Sequence, residues 1–285
     1  MKTINDFVVT PLETGSIWLD GGAMFGTVPK VLWEQQHPSN ATNQIELAMR
    51  SLLIQNRQHN ILVDCGLGDK GGEKFAKMYH VDQNTHNIKK SLSGLQLGVE
   101  DITHVILSHF HFDHAGGATS MQPDGSYLPT FPNAQYFIQT ENLEVAQTPN
   151  PRERASYLPE NHTALLEKDV LTKLNGEVEV VPGLSVKVSY GHTCGQQHVW
   201  IEDEHTALFF GGDLVATPSH VSLAWVQGYD LQPLVAIEEK KKLFDQLIAK
   251  NGWVFYQHDP KVVFSKVQKN DKGKYEPIDL QLACS

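Results

Sequence analysis

The apolar positions of this chain fall mostly in short, β-branched runs that stop at Gly, Pro, Asn or a charged residue, and seldom at helical spacing. Over the first 65 residues this pattern predicts strands and turns. "FVVTPLETGSIWLDGGAMFGTVPK" mixes β-branched residues with Gly and Pro, and "IELAMRSLLIQNRQHNILVDCG" reads as two strands around the polar turn "NRQHN". Helical spacing appears at 73–80 and again at 86–97. "THVILS" (103–108) is a strand that stops at a histidine cluster, and "AQYFIQ" (134–139) is another strand. Helices are expected at "ENLEVAQ" (141–147) and "ENHTALLEKDVLTKL" (160–174). Four strands follow, "EVEVV", "LSVKVSY", "HVWIED" and "TALFFGGD". Residues 233–251 form the best amphipathic helix, with Pro233 in its first turn and Asn251-Gly252 at its end. "WVFYQHD" and "KVVFSKVQ" close the chain as strands.

No repeat or low-complexity tract interrupts this order. It predicts one α/β domain over residues 1–285, in which two sheets carry helices on their outer faces. The glycines of "DGGAMFG" (20–26) suit a loop that passes close to a site, and "EEKKK" (238–242) suits a solvated helix face.

Composition changes this picture little. Hydrophobic residues make up 40% and charged residues 20% of the chain, as in ordinary globular proteins. The net charge of −10 argues against general binding of nucleic acid or anionic membrane, which both require clustered cations. The three cysteines, Cys65, Cys194 and Cys284, do not form a disulfide framework and fit a reducing compartment. The N-terminus has no signal-peptide core, and no run approaches the ~18 apolar residues of a membrane span. The expectation is a cytoplasmic protein. A homodimer is compatible with the sequence, which does not set the oligomeric state.

The candidate chemistry lies in "LSHFHFDHAGG" (107–117). At the end of an extended strand, alternate side chains share a face, so His109 and His111 could hold one metal. The chain then turns through Asp113 and His114, which could face a second. Imidazole with carboxylate suits zinc and similar divalent ions. Three later segments repeat one grammar, a β-rich run stopping at a His or Asp beside a turn. They are "VKVSYGHTCG" with His192, "ALFFGGDL" with Asp213 and "WVFYQHD" with His258. Strand ends that deliver ligands to one rim are how such sites are built.

This set, H-x-H-x-D-H followed by Gly-His-Thr, Gly-Asp-Leu and a late His, resembles the metallo-β-lactamase superfamily over about residues 45–265. "ILVDCGLG" (61–68) is similar to that family's hydrophobic-Asp-Thr-Gly segment, with Cys65 in place of Thr. The resemblance implies an αββα sandwich with two divalent ions, zinc first and Mn, Fe or Co as alternatives. It places His109, His111 and His192 on one ion, Asp113, His114 and His258 on the other, and Asp213 between them. Asp64 would brace the ligands from behind. Three stretches, "LDGGAMFGTVPKVLW", "NQIELAMRSLLIQ" and "GGDLVATPSHVSLAWVQGYD", look like the YtnP-type quorum-quenching lactonases.

The implied activity is hydrolytic opening of a lactone, an N-acyl-homoserine lactone first, by a hydroxide shared between the ions, with Asp113 carrying the proton to the leaving oxygen. Many related lactonases place a Tyr three residues after the bridging Asp. Here that position is Ala216, and His220 or Tyr229 could supply the missing donor. Met24, Phe25, Phe110, Trp225 and Tyr229 could line an apolar pocket for an acyl chain. The bridging position holds Asp213 and not Cys, which argues against a β-lactamase with a Cys ligand. A carboxylate there equally suits a thioesterase, a phosphodiesterase or an organophosphate hydrolase. A nuclease on this fold is a third class, disfavoured by the negative charge.

Overall fold

The computed structural model describes residues 1–283, so Cys284 lies outside the described residues. The first half of the chain gives strands β1 (Lys2–Ile4), β2 (Phe7–Asp20), β3 (Gln44–Gln55), β4 (Asn60–Val63) and β5 (His104–Ile106). A small hairpin, β6 (Thr119–Met121) and β7 (Tyr127–Pro129), precedes β8 (Gln135–Gln139) and β9 (Leu171–Leu174). The second half gives β10 (Val178–Val181), β11 (Leu184–Ser189), β12 (Gln196–Glu202), β13 (Ala207–Phe210), β14 (Trp253–Phe255), β15 (Val262–Lys269) and β16 (Tyr275–Leu282). The helices are α1 (Gly21–Phe25), α2 (Lys30–Trp33), α3 (Gly72–Met78), α4 (Ile88–Gly94), α5 (Phe112–Ala115), α6 (Thr140–Gln147), α7 (Thr163–Glu167) and α8 (Pro233–Ala249).

These strands make two seven-stranded mixed sheets, ordered β1-β2-β3-β4-β5-β8-β9 and β10 through β16 in sequence. Apolar side chains from both sheets, among them Val9, Ile54, Val63, Val186, Phe210 and Phe255, fill the layer between them. The outer face of the first sheet is covered by Leu92 of α4, Leu143 of α6 and Leu165 of α7. The outer face of the second is covered by Ala236, Leu243, Phe244 and Leu247 of α8. The result is the expected αββα sandwich.

Strand direction decides where loops emerge. β11 and β13 are each antiparallel to β12, and β13 is parallel to β14. These three therefore run the same way, and the segments after them leave from one rim. In the first sheet β5 is parallel to both β4 and β8. Among the described residues, no helix is long and apolar enough to cross a membrane.

Several expectations are corrected. The helix expected over 160–174 is only α7, because Asp169 turns to φ 54° and Leu171–Leu174 then pairs with β8 as a parallel strand. The first 65 residues contain α1 and α2 besides strands, so "DGGAMFG" is a capped helical turn and not a free loop; Asp20 accepts from the Ala23 N–H at 2.8 Å. The edge strand β16 and the β6–β7 hairpin were not expected. The "EEKKK" face is not uniformly solvated. Lys240 lies four residues after Ala236 and three before Leu243, inside the buried stripe of α8, and is 1% exposed. Glu239 accepts from the Tyr190 and Gly191 N–H groups at 2.7 and 3.1 Å.

Candidate metal centre

His192, Asp213 and His258 each stand three residues beyond the ends of β11, β13 and β14, on the rim described above, and His109, His111, Asp113 and His114 follow β5. β5 stops at Ile106, two residues earlier than the sequence suggested, so His109 and His111 lie in a loop and not on a strand. His111 sits at the N-cap of α5 with φ −60° and ψ 149°, and Asp113 and His114 occupy the single turn of α5 itself. The two-residue alternation is therefore not what aligns them. A loop held from several sides does so: Phe110 N–H donates to Asn142 Oδ1 at 2.9 Å, Phe112 N–H to the Ser156 carbonyl at 2.9 Å, and Gln197 N–H to the Ser108 carbonyl at 2.8 Å. The paired glycines after α5 permit close approach. A Cβ on Gly116 would lie 2.0 Å from the Leu67 carbonyl oxygen, and one on Gly117 2.2 Å from that of Cys65.

The imidazoles are oriented from behind. Asp64, fully buried with φ 56°, accepts from Ser108 N–H at 2.6 Å and Ser108 Oγ at 2.7 Å, and its Oδ2 lies 2.9 Å from His114 Nδ1. Ser108 Oγ also lies 2.9 Å from His109 Nδ1. His192 Nδ1 is 3.0 Å from Asp230 Oδ1, and His258 Nδ1 donates to the Ala48 carbonyl at 2.9 Å. Such partners fix the tautomer and leave Nε2 facing the opposite way.

What these nitrogens face is one another. His192 Nε2 lies 3.3 Å from His111 Nδ1, and His258 Nε2 lies 3.3 Å from His114 Nε2. The buried Nε2 atoms of His109 and His111 have no hydrogen-bond partner. Two groups result whose donor atoms lie within 4.8 Å of each other: His109, His111, His192 and Asp213, and then Asp113, His114 and His258. Asp213 reaches both. Its Oδ2 is 3.1 Å from His192 Nε2 and 3.9 Å from His109 Nε2, while its Oδ1 is 3.0 Å from His258 Nε2 and 3.3 Å from His114 Nε2. The unpartnered Nε2 atoms of His109 and His111, buried beside the Asp213 carboxylate, are donors of the kind that could hold a divalent cation.

The electrostatics agree. Burial, together with neighbouring imidazoles, holds His109 and His111 well below the usual histidine range, so both are neutral. Burial opposes charge on His192 and His114 too, but carboxylates outweigh it. Asp213 and Asp230 push His192 up to about 10, and Asp213, Asp113 and Asp64 hold His114 well above the usual value. Burial of Asp213 is likewise outweighed by His114, His192 and His258, which hold its pKa well below the usual carboxylate range. In the protein alone, two imidazolium groups balance buried carboxylates, a duty that a divalent cation performs at shorter range.

A cavity of about 340 Å³ opens onto Asp113, Asp213 and His258. Its apolar wall includes Leu19, Met24, Leu47 and Phe112, and Tyr79 and Tyr229 add hydroxyls. Tyr229 stands at the mouth, 38% exposed. Burial first and then the Asp113 charge push the Tyr229 and Tyr79 phenols up, so both remain donors at neutral pH.

Other expected pocket residues go elsewhere. His220 does not reach the cavity. It is 1% exposed, with Nδ1 at 2.8 Å from Thr217 Oγ1 and Nε2 at 3.0 Å from the Met24 carbonyl, and its ring stacks on Phe25. Phe25 and Phe110 are fully buried core residues, and Trp225 packs edge-on against Phe25. Residues that the sequence did not single out take their places: Tyr79, Arg152, Glu153 and Gln227 line the cavity, and Asp230 orients His192. They sit on irregular loops without periodicity; Gln227 and Asp230 lie within the lactonase-like stretch 211–230, which did not single them out. Cys65 is buried and Cys194 half-buried, both as free thiols.

The pattern of the metallo-beta-lactamase superfamily matches residues 50–258. An N-acyl homoserine lactonase from Bacillus cereus is 26% identical over 235 residues, covering 76% of this chain and 83% of that protein. The crystal structure of a probable metal-dependent hydrolase from Staphylococcus aureus superposes with a TM-score of 0.90 at 31% identity, covering 100% of this chain and 99% of the other. AidC, a dizinc quorum-quenching lactonase in complex with a product, gives a TM-score of 0.78 at 21% identity, covering 99% and 97%.

Proposed function

We propose that this chain, which belongs to the metallo-β-lactamase superfamily, is a dinuclear zinc hydrolase that opens lactone rings, N-acyl-homoserine lactones first. The observation that carries the reading is Asp213, whose two oxygens each address a different histidine group at 3.0–3.1 Å. His109, His111 and His192 would hold one ion, Asp113, His114 and His258 the second, with Asp213 shared. Bound there, the ions supply Lewis acidity, which polarises an ester carbonyl and makes water nucleophilic at neutral pH.

The chain's own groups do the rest. The apolar wall of Leu19, Met24, Leu47 and Phe112 takes an alkyl chain and excludes water. Tyr229 donates its O–H to the carbonyl oxygen as charge develops there, replacing the donor absent at Ala216. Asp113, which borders both the cavity and His114, carries the proton to the departing ring oxygen. The curated lactonase from Bacillus cereus supports the choice of substrate.

The test is ring opening followed by pH-stat, using short- and long-chain lactones, with and without chelator. Chelator-sensitive turnover is expected. A metal-replete protein that opens no lactone would sink the reading, and the same panel extended to S-lactoylglutathione and paraoxon would separate thioester from phosphotriester hydrolysis.

A further inference from the structure

Lys240 is buried in the apolar stripe of α8, yet its ammonium serves a defined set of acceptors. Nζ donates to the carbonyl oxygens of Trp225 at 2.8 Å, His220 at 2.9 Å and Ser222 at 3.1 Å. An ammonium has three N–H donors, and all three are used. Burial pulls its pKa down, and the charge of Asp230 opposes that fall. An apolar side chain would satisfy the helix stripe at lower desolvation cost. The lysine is therefore explained by the three carbonyls.

Those carbonyls belong to one segment, 217–230, a 3-10 turn (Pro218–Val221) followed by loop, which ends on the residues beside the candidate metal centre. Gln227 Nε2 donates to the Asp213 carbonyl at 2.6 Å. Gln227 N–H donates to Asp230 Oδ2 at 2.9 Å, and Asp230 Oδ1 lies 3.0 Å from His192 Nδ1. The Leu231 N–H donates to the His192 carbonyl at 3.1 Å. Two threads thus run from the segment to two of the seven ligands.

We propose that Lys240 is a positioning residue, a clasp on segment 217–230 that sets the orientation of His192 and Asp213 through Asp230 and Gln227. The part concerning ligands rests on the metal-centre reading above.

Lys240→Met removes all three donors at similar length, and Lys240→Gln keeps two without the charge. Amide exchange by mass spectrometry is expected to rise about tenfold over 217–231 in Lys240→Met, less in Lys240→Gln, with β11 and β12 unchanged. Zinc escape to a chelator should speed up about tenfold, with kcat falling more than KM rises. Wild-type exchange over 217–231 in a folded Lys240→Met protein would overturn the clasp. So would exchange raised evenly over the whole chain, which a merely stabilising residue would give. A loosened segment with unchanged zinc escape would overturn the link to the ligands. Should Lys240→Met fail to fold, Lys240→Gln decides by the same criteria. The exchange measurement needs neither zinc nor substrate, so a chain that binds no zinc would overturn the metal-centre reading while the clasp is still judged.

Discussion

Replacing Asp64 by Asn changes one atom in a side chain that never touches the cavity, and so isolates what bracing contributes. Asn tolerates the observed φ of 56° as Asp does, so the backbone is not strained by the change. Asp64 now receives three hydrogen bonds, from Ser108 N–H, Ser108 Oγ–H and His114 Nδ1–H. An amide keeps one acceptor oxygen. If that oxygen stays on Ser108 N–H, the amide NH2 faces His114 Nδ1, which must then become the acceptor. A neutral His114 then holds its one proton on Nε2, the atom that faces His258 and Asp213. The tautomer is then wrong for a metal ligand.

Two effects of different size follow. Charge-assisted bonds of about 1.5–3 kcal/mol become neutral ones of about 1 kcal/mol, so the metal-free fold should lose roughly 1–3 kcal/mol. Zinc affinity at the His114 group should fall about 10–100-fold while the His109 group is less affected. Urea denaturation of metal-free protein measures the first. Competition with a chromophoric chelator measures the second. An Asp64→Asn protein that binds two zinc ions with wild-type affinity would refute the tautomer argument.

Asp213→Ala should abolish turnover and weaken both metal groups together; elemental analysis under saturating zinc should fall from two ions per wild-type chain, and a variant still holding two would contradict the shared role. Tyr229→Phe should lower kcat about 10²-fold with metal content unchanged, and an unaltered kcat would remove the tyrosine from the reaction. His192 has its pKa raised to about 10 and carries a proton at pH 7 in the metal-free protein, so zinc binding should release at least one proton. Calorimetry in two buffers of different ionisation enthalpy reads that number, and zero would refute it. The same raised pKa stabilises the metal-free fold fully below about pH 6.5, and this stability is lost as pH rises towards 10, so its denaturation midpoint should fall over that range.

The candidate donors were legible because His192, Asp213 and His258 each follow a β-rich run, and His109, His111, Asp113 and His114 crowd one short stretch after another such run. Runs such as "ALFF" and "WVF" are fixed by local side-chain chemistry, and the residue after them emerges at a sheet edge whatever the sheet order. The same local reasoning failed wherever a neighbour in space outweighed the sequence. Leu171–Leu174 became a strand because β8 offered it a partner. His220 looked available but is held by Thr217 and the Met24 carbonyl. Lys240 looked solvated in "EEKKK" but falls in the buried stripe of α8.

The sequence by itself determined most of the alternation of strands and helices and the two-sheet architecture, and it named the candidate donors, because short-range hydrophobic period and residue type are local properties. Only the tertiary structure decided that β11, β13 and β14 run in one direction, how far Asp213 stands from each histidine group, and that Tyr79, Glu153 and Gln227 wall the cavity. Those outcomes depend on strand pairing and loop packing between distant segments, as in the bond from His258 to the Ala48 carbonyl 210 residues away, and no local pattern encodes such contacts.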